Sequence, residues 1–333
     1  MPEPLDSPLL AQLREGDTFR NGIWRLSNVL LRPGKSGQFV TCQIADASGS
    51  RQAKAWKVSP EEFEALKDAP YIKASGHVEG APYAGQIILD LYAALSGVDD
   101  AERFEMPLPG EHRAHQKRFF ELVASIRRPE LKALLKQIFN KSGDVWTRFA
   151  DAPAAVSMHH NYRGGLLEHC GEVALLCDRV AGVMNGVDRD LLVCAALLHD
   201  IGKIEELECD FSTGTISYSH AGELVGHVVL GAQLIGRACD AIEKFPLRLK
   251  TEITHLILSH HGEPEWGAAR RPMCAEALIL SQCDNLSAKF AACKNGCDGS
   301  NEADFARASG WHGQANTPQN RVYVGRLREL KGE

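Results

Sequence analysis

Apolar and polar positions follow two different rhythms along this chain. In the first hundred residues they tend to alternate, which is the period of a strand with one face buried. Residues 22–31 mix Ile, Trp, Leu and Val, and residues 39–44 alternate. Residues 51–56 place Ala53 and Ala55 on one face and Lys54 and Trp56 on the other. Residues 71–79 and 86–94 supply two more strands, and Pro60–Lys67 reads as a short helix between the third strand and the fourth. Residues 97–112 are rich in Gly, Pro and charge and read as a linker. From residue 113 the period becomes helical: 116–126, 129–139, 166–183, 189–201, 224–241, Leu247–Ser259 and 274–289 all read as helices. No strand pattern of any length follows residue 112.

Five strands with a helix between the third and fourth is the order of an OB-fold barrel, and another small β-barrel is the alternative. The chain therefore reads as multidomain: a five-stranded barrel over 1–96, a linker over 97–112, and an all-α bundle over 113–333. Its 333 residues fit this division, because single cores stop growing at roughly 250–300 residues. Apolar residues at 44% and charged residues at 24% exclude a disordered or fibrous chain.

Charge sharpens the picture of the barrel. The chain carries net −6, yet residues 14–57 hold eight basic residues against three acidic ones. A basic strand surface with interleaved aromatics suits single-stranded nucleic acid. The candidates for substrate contact there are Phe39, Arg51, Lys54 and Trp56; Trp24 and Tyr71 are also aromatic, and Trp24 and Phe39 read equally well as barrel core. The longest apolar run, 191–198, is eight residues, far short of the roughly 20 needed to span a membrane. Ten cysteines, mostly in apolar stretches, and a start without a basic or apolar leader point to reduced thiols in a cytoplasm. Cys293 and Cys297 are a close pair with no second pair at zinc-ribbon spacing.

The chemistry lies in the helical part: His169, His199-Asp200, His227, His260-His261 and Asp284. Gaps of 30, 27, 33 and 23 residues mean that these side chains can meet only through tertiary packing. Asp200 ends a fully apolar run, where an ionised carboxylate is costly unless compensated. A metal cation would compensate it. Gly202 suits the end of that helix.

His169…His199-Asp200…Asp284 resembles the H…HD…D signature of the HD-domain phosphohydrolases, helical bundles whose metal activates water against a phosphoester. His227 and His260-His261 resemble the subgroup that holds a second metal. The stretches 159–169, 197–204 and 257–267 are similar to the YhaM-type 3′→5′ exoribonucleases, which join an N-terminal OB-fold to a C-terminal HD domain. The resemblance implies His169, His199, Asp200 and Asp284 on one metal, and His227, His260 and His261 on a second bridged by Asp200. It also implies an enzyme acting on single-stranded RNA, or DNA, and releasing nucleoside monophosphates. Imidazoles and carboxylates without a required thiolate suit two divalent ions, Mn²⁺ first, with Fe²⁺, Co²⁺, Ni²⁺ or Zn²⁺ as alternatives. Lys203 is expected to offset phosphoryl charge. His159 or His160 is expected to protonate the leaving group or line the substrate path, and Glu168 to point away from the metal. Arg270 and Arg271 are candidates for backbone contact, and a homo-oligomer is left open. Ser287 stands where the family usually has Asp. The alternatives are a small-nucleotide phosphohydrolase, a nucleic-acid-binding protein with a structural HD site, and a di-iron oxygenase.

Overall fold

The computed structural model describes residues 3–34, 37–80, 86–99, 104, 106, 108–140, 143–156, 160–211, 215–298, 305–307 and 321–323. Lys35, His159, the side chains of Cys293 and Cys297 and most of the last thirty residues lie outside the described residues.

The N-terminal part is a sheet of β1 (Leu5–Asp6), β2 (Thr18–Gly34), β3 (Gly37–Asp46), β4 (Gly49–Trp56), β5 (Tyr71–Val78) and β6 (Ile87–Leu95). Its order is β1-β2-β3-β4-β6-β5, and β2 also pairs with β5, so five of the six strands close into a ring. Five strands were expected. The sixth, β1, is a two-residue strand parallel to β2, too short to show a period. Long β2 serves two neighbours, β5 with its first half and β3 with its second. Asn21 and Asn28 adopt left-handed φ of 53° and 50°, each at a register shift of β2, the geometry of β-bulges that bend a strand. Trp24 is fully buried and stacks edge-on against Phe19 at 5.2 Å, so of its two readings the core one holds. A Cβ on Gly22 would lie 2.0 Å from that indole. Helix α1 (Pro60–Lys67) begins with a complete capping box between Ser59 and Glu62.

The C-terminal part packs α2 (His112–Ser125), α3 (Pro129–Ile138), α4 (Asp144–Asp151), α5 (Gly165–Ala181) and α6 (Arg189–Leu198) around one apolar cluster. The one-turn α7 (Lys203–Glu206) leads into β7 (Leu207–Asp210) and β8 (Thr215–Tyr218). Helices α8 (His220–Leu224), α9 (His227–Asp240), α10 (Leu247–Ser259) and α11 (Ala275–Asp298) complete the bundle. Two expectations are corrected. The part is not all-α: β7 and β8 form an antiparallel hairpin, and β9 (Phe305–Arg307) pairs with β10 (Arg321–Tyr323). The helix expected over 224–241 is two, broken at Gly226, whose φ is +79°.

The buried apolar side chains form two separate clusters, one inside the ring and one inside the bundle. Within the stretch read as a linker, Phe104 packs on Tyr71 at 5.0 Å, and the Met106 amide donates to the Phe211 carbonyl at 2.9 Å. Arg25 of the barrel donates to Thr215 of the hairpin at 2.8 Å. Among the described residues no helix is long and apolar enough to cross a membrane.

Candidate metal centre

From Leu191 to Leu198 helix α6 is apolar and buried, and it delivers His199 and Asp200 to the centre of the bundle, 0% and 2% exposed. Gly202 then turns the chain. Its φ is −63°, so it does not act as a left-handed helix end. It is needed because a Cβ there would lie 2.0 Å from the His227 carbonyl. That close approach brings the start of α9, and so His227, against Asp200. Helix α5 contributes His169, the end of α10 contributes His260 and His261, and α11 contributes Asp284.

The side chains sort into two groups around Asp200. Oδ2 of Asp200 lies 3.5 Å from Nε2 of both His169 and His199. Oδ1 faces His227 Nε2 at 3.3 Å and His260 Nε2 at 3.5 Å. Asp284 Oδ1 is 3.1 Å from His169 Nε2 and 3.8 Å from His199 Nε2. Ligand atoms of Asp200, His227, His260 and His261 lie within 4.8 Å of one another, as do those of His169, His199 and Asp284.

Each imidazole is held by its other nitrogen. Nδ1 of His199, His260 and His261 donates to the carbonyls of Ala196, Ile257 and Trp266, at 2.8, 2.6 and 2.8 Å. His227 Nδ1 donates to Glu206 Oε1 at 2.9 Å, and the same oxygen accepts the His227 amide. His169 Nδ1 donates to Ser287 Oγ at 3.2 Å, and that hydroxyl donates onward to Glu172 at 3.2 Å. Ser287 thus relays the imidazole to a glutamate on α5. These partners fix the tautomer that turns every Nε2 lone pair inward.

The inward lone pairs then face one another. His169 and His199 Nε2 are 3.3 Å apart, as are His227 and His261 Nε2. Two lone pairs at that distance repel unless a cation lies between them. Donor atoms bound at about 2.0–2.2 Å to one ion are separated by roughly 3.0–3.4 Å, so the spacing fits. Asp200 Oδ1 and His260 Nε2 are buried and lack a hydrogen-bond partner among the described residues. The donor set contains no thiol among the described residues. The residues present fit two divalent ions.

The electrostatics agree. Burial pushes His199 down to about 4; burial, with His260 and His227 beside it, pushes His261 down to about 3. Both are therefore neutral, as ligands must be. Burial opposes ionisation of Asp200, but Lys203 and the histidines outweigh it and hold the carboxyl well below the usual range. Burial likewise opposes charging of Lys203, yet the Asp200 carboxylate raises it. Their Nζ–Oδ2 distance is 2.7 Å.

A cleft of about 520 Å³ opens onto this cluster, lined by His169, Asp200, Lys203, His227, His261 and Asp284 among others. His160, expected in it, is not among its lining residues. It lies behind His169, ring centroids 5.4 Å apart, with Nε2 3.8 Å from Glu172 and 4.0 Å from Glu168. Those three form a further group with ligand spacing. Arg270 and Arg271 are exposed away from the cleft, and Arg271 pairs with Glu263 at 2.8 Å. On the barrel, Phe39 and Trp56 meet at 4.9 Å, with Lys54 Nζ 5.9 and 5.5 Å from their rings. Arg51 is placed elsewhere, its guanidinium donating to the Leu13 carbonyl at 3.0 Å. Sequence reasoning missed Glu206 and Glu172, since nothing in their spacing ties them to particular histidines.

The HD domain family matches residues 166–289, a span that contains all of the histidines and aspartates of the cluster. HD domains are metal-dependent hydrolases, and the match supports an enzyme of that type binding divalent metal. Among solved structures, a proposed aspartyl-tRNA synthetase from Leishmania major Friedlin aligns at 12% identity with a TM-score of 0.19. The alignment covers 76% of this chain and 53%, about half, of that one. A likeness that weak carries no argument.

Proposed function

We propose that the protein is a two-metal phosphodiesterase that shortens single-stranded RNA from its 3′ end and releases nucleoside monophosphates. The observation that carries the hydrolytic part is the convergence of four inward Nε2 atoms on the two oxygens of Asp200, with His261 Nε2 beside that of His227. His169, His199, Asp200 and Asp284 would hold one ion, and His227, His260 and His261, with Asp200 shared, would hold a second. Bound divalent ions, Mn²⁺ first, would supply a polarised water and neutralise phosphoryl charge. The chain's own groups do the rest. Neutral imidazoles and two carboxylates set the charge of the centre. Lys203, held against Asp200 at the wall of the cleft, presents a further positive charge to the phosphoryl oxygens.

The RNA part rests on the barrel. A ring of five strands with one parallel pair, β4 with β6, and a helix between β4 and β5 supports reading it as an OB-type module. Its cluster of exposed Trp56 with half-buried Phe39 and Lys54 offers ring faces and charge suited to stacking bases and holding phosphates.

The test is a time course of metal-loaded protein on 5′-labelled single-stranded RNA. The expected result is a descending ladder of labelled fragments with release of monophosphates, abolished in Asp200→Ala. Early release of the label as mononucleotide would reverse the polarity. Intact RNA alongside cleaved small phosphodiesters would replace the RNA reading with the small-nucleotide one.

A further inference from the structure

The cleft has two chemically different ends. The inner end is the histidine–aspartate cluster. The mouth carries two aromatic side chains, Tyr218 and Trp266, which line the same cleft and stand 50% and 58% exposed. Neither belongs to any group with metal-ligand spacing.

Both aromatics sit on backbone tied to the cluster. The Trp266 carbonyl accepts the Nδ1 proton of His261, so the short 3₁₀ turn Pro264–Trp266 is fixed relative to a proposed ligand. Gly267 follows at φ +99°, and a Cβ there would crowd His261 Nδ1 at 3.1 Å. Tyr218 ends β8, and the next residue, Ser219, donates to the carbonyls of both Glu205 and Glu206. Glu206 in turn holds His227. Trp266 is therefore one hydrogen bond from His261, and Tyr218 is linked to His227 through Ser219 and Glu206. Across the cleft α11 adds Asn285 and Lys289, one helical turn apart.

Flat rings at the mouth, a lysine and an amide on the wall, and an anion-attracting centre within match one ligand chemistry. That ligand has an aromatic ring, a polar middle and a phosphate. We infer that Tyr218 and Trp266 form a base subsite: the base of the terminal nucleotide stacks on these rings while its phosphate reaches the cluster. The inference rests on the hydrolase reading above and names what that site grips. Stacking on a ring face is tolerant of base identity, so the subsite would distinguish base from no base rather than one base from another.

The test uses the full-length, metal-loaded protein and two probes, adenosine 5′-monophosphate and ribose 5-phosphate, with affinities measured by calorimetry. The nucleotide is expected to bind at least about fivefold more tightly, since one base–aromatic stack is worth roughly five- to 150-fold. Trp266→Ala and Tyr218→Ala are each expected to remove much of that advantage while ribose 5-phosphate affinity and metal content hold. Trp266→Phe should retain it. Equal affinity of the two probes in the unaltered protein would overturn the base subsite and leave the hydrolase reading standing. An advantage unchanged in both alanine variants would overturn the assignment to these rings. Failure of both probes to bind a fully metal-loaded protein would overturn the subsite together with the hydrolase reading.

Discussion

At the scale of single residues, the centre is built by side chains that never enter it. Glu206 is nearly buried and accepts both the amide and the Nδ1 proton of His227. Glu206→Ala is expected to free that imidazole and weaken metal binding by about 10–100-fold, the usual cost of losing such a partner. Competition against a calibrated chelator would measure it, and unchanged affinity would refute the role. Lys203 makes a different case. With no cation bound, it is the close countercharge of Asp200 at 2.7 Å. Removing one partner of a buried pair costs about 3–5 kcal/mol. Lys203→Ala should therefore destabilise metal-free protein by that order and metal-loaded protein by much less, because bound ions compensate the same carboxylate. Urea unfolding with and without chelator separates the two. Equal losses in both forms would mean that Lys203 acts through packing alone.

At the scale of elements, what was legible depended on length and on caps. Pro60–Lys67 and Leu247–Ser259 stand where their sequence periods put them; the first carries a visible Ser-Pro-Glu-Glu start. The hairpin was not legible, because strands of four residues such as Leu207–Asp210 are shorter than any period that could reveal them. One-turn α7 was missed for the same reason, and α4, as long as Pro60–Lys67, lacks the side-chain cap that marks that helix. The ligand histidines were legible because each sits beside a strongly apolar segment. Their partners Glu206, Glu172 and Ser287 were not, since each pairing is made by packing between elements rather than by spacing. Gly202 shows how much such packing decides. Gly202→Ala would push a methyl against the His227 carbonyl and should cost about 1–3 kcal/mol, as overpacking does, with loss of metal. Gly171→Ala in α5 meets nothing within 4 Å and should stabilise by about 0.4–1 kcal/mol. Urea midpoints of the two variants should move in opposite directions; movement in the same direction would refute the close-approach account.

At the scale of the whole molecule, the buried histidines couple folding to pH. His199 and His261, pushed down to about 4 and about 3, have a reference value of 6.5 in an unfolded chain. Between those limits the unfolded chain binds protons that the folded one refuses, so stability rises with pH across the window. The contribution of these two residues is complete above about 6.5 and is lost as pH falls toward 4 and below. For His199 alone it amounts to about 3 kcal/mol, at 1.36 kcal/mol per pH unit of displacement. His260 is raised, because the Asp200 carboxylate overcomes its burial. Its contribution is present below 6.5 and fades as pH rises through its folded value, so it acts above the window in which His199 and His261 act. Asp200, held well below its usual range, adds a loss only under more acid conditions. Chelator-treated protein should therefore lose several kcal/mol between pH 7 and pH 4.5 in urea unfolding. His199→Gln, which removes one titrating group, should flatten the curve. Metal-loaded protein should release its ions in the same window, since protons and metal compete for the same Nε2 lone pairs. A stability curve that is flat or falls with rising pH between 4.5 and 6.5 would contradict neutral, inward-facing imidazoles, and with them the ion-binding arrangement on which the hydrolase reading stands.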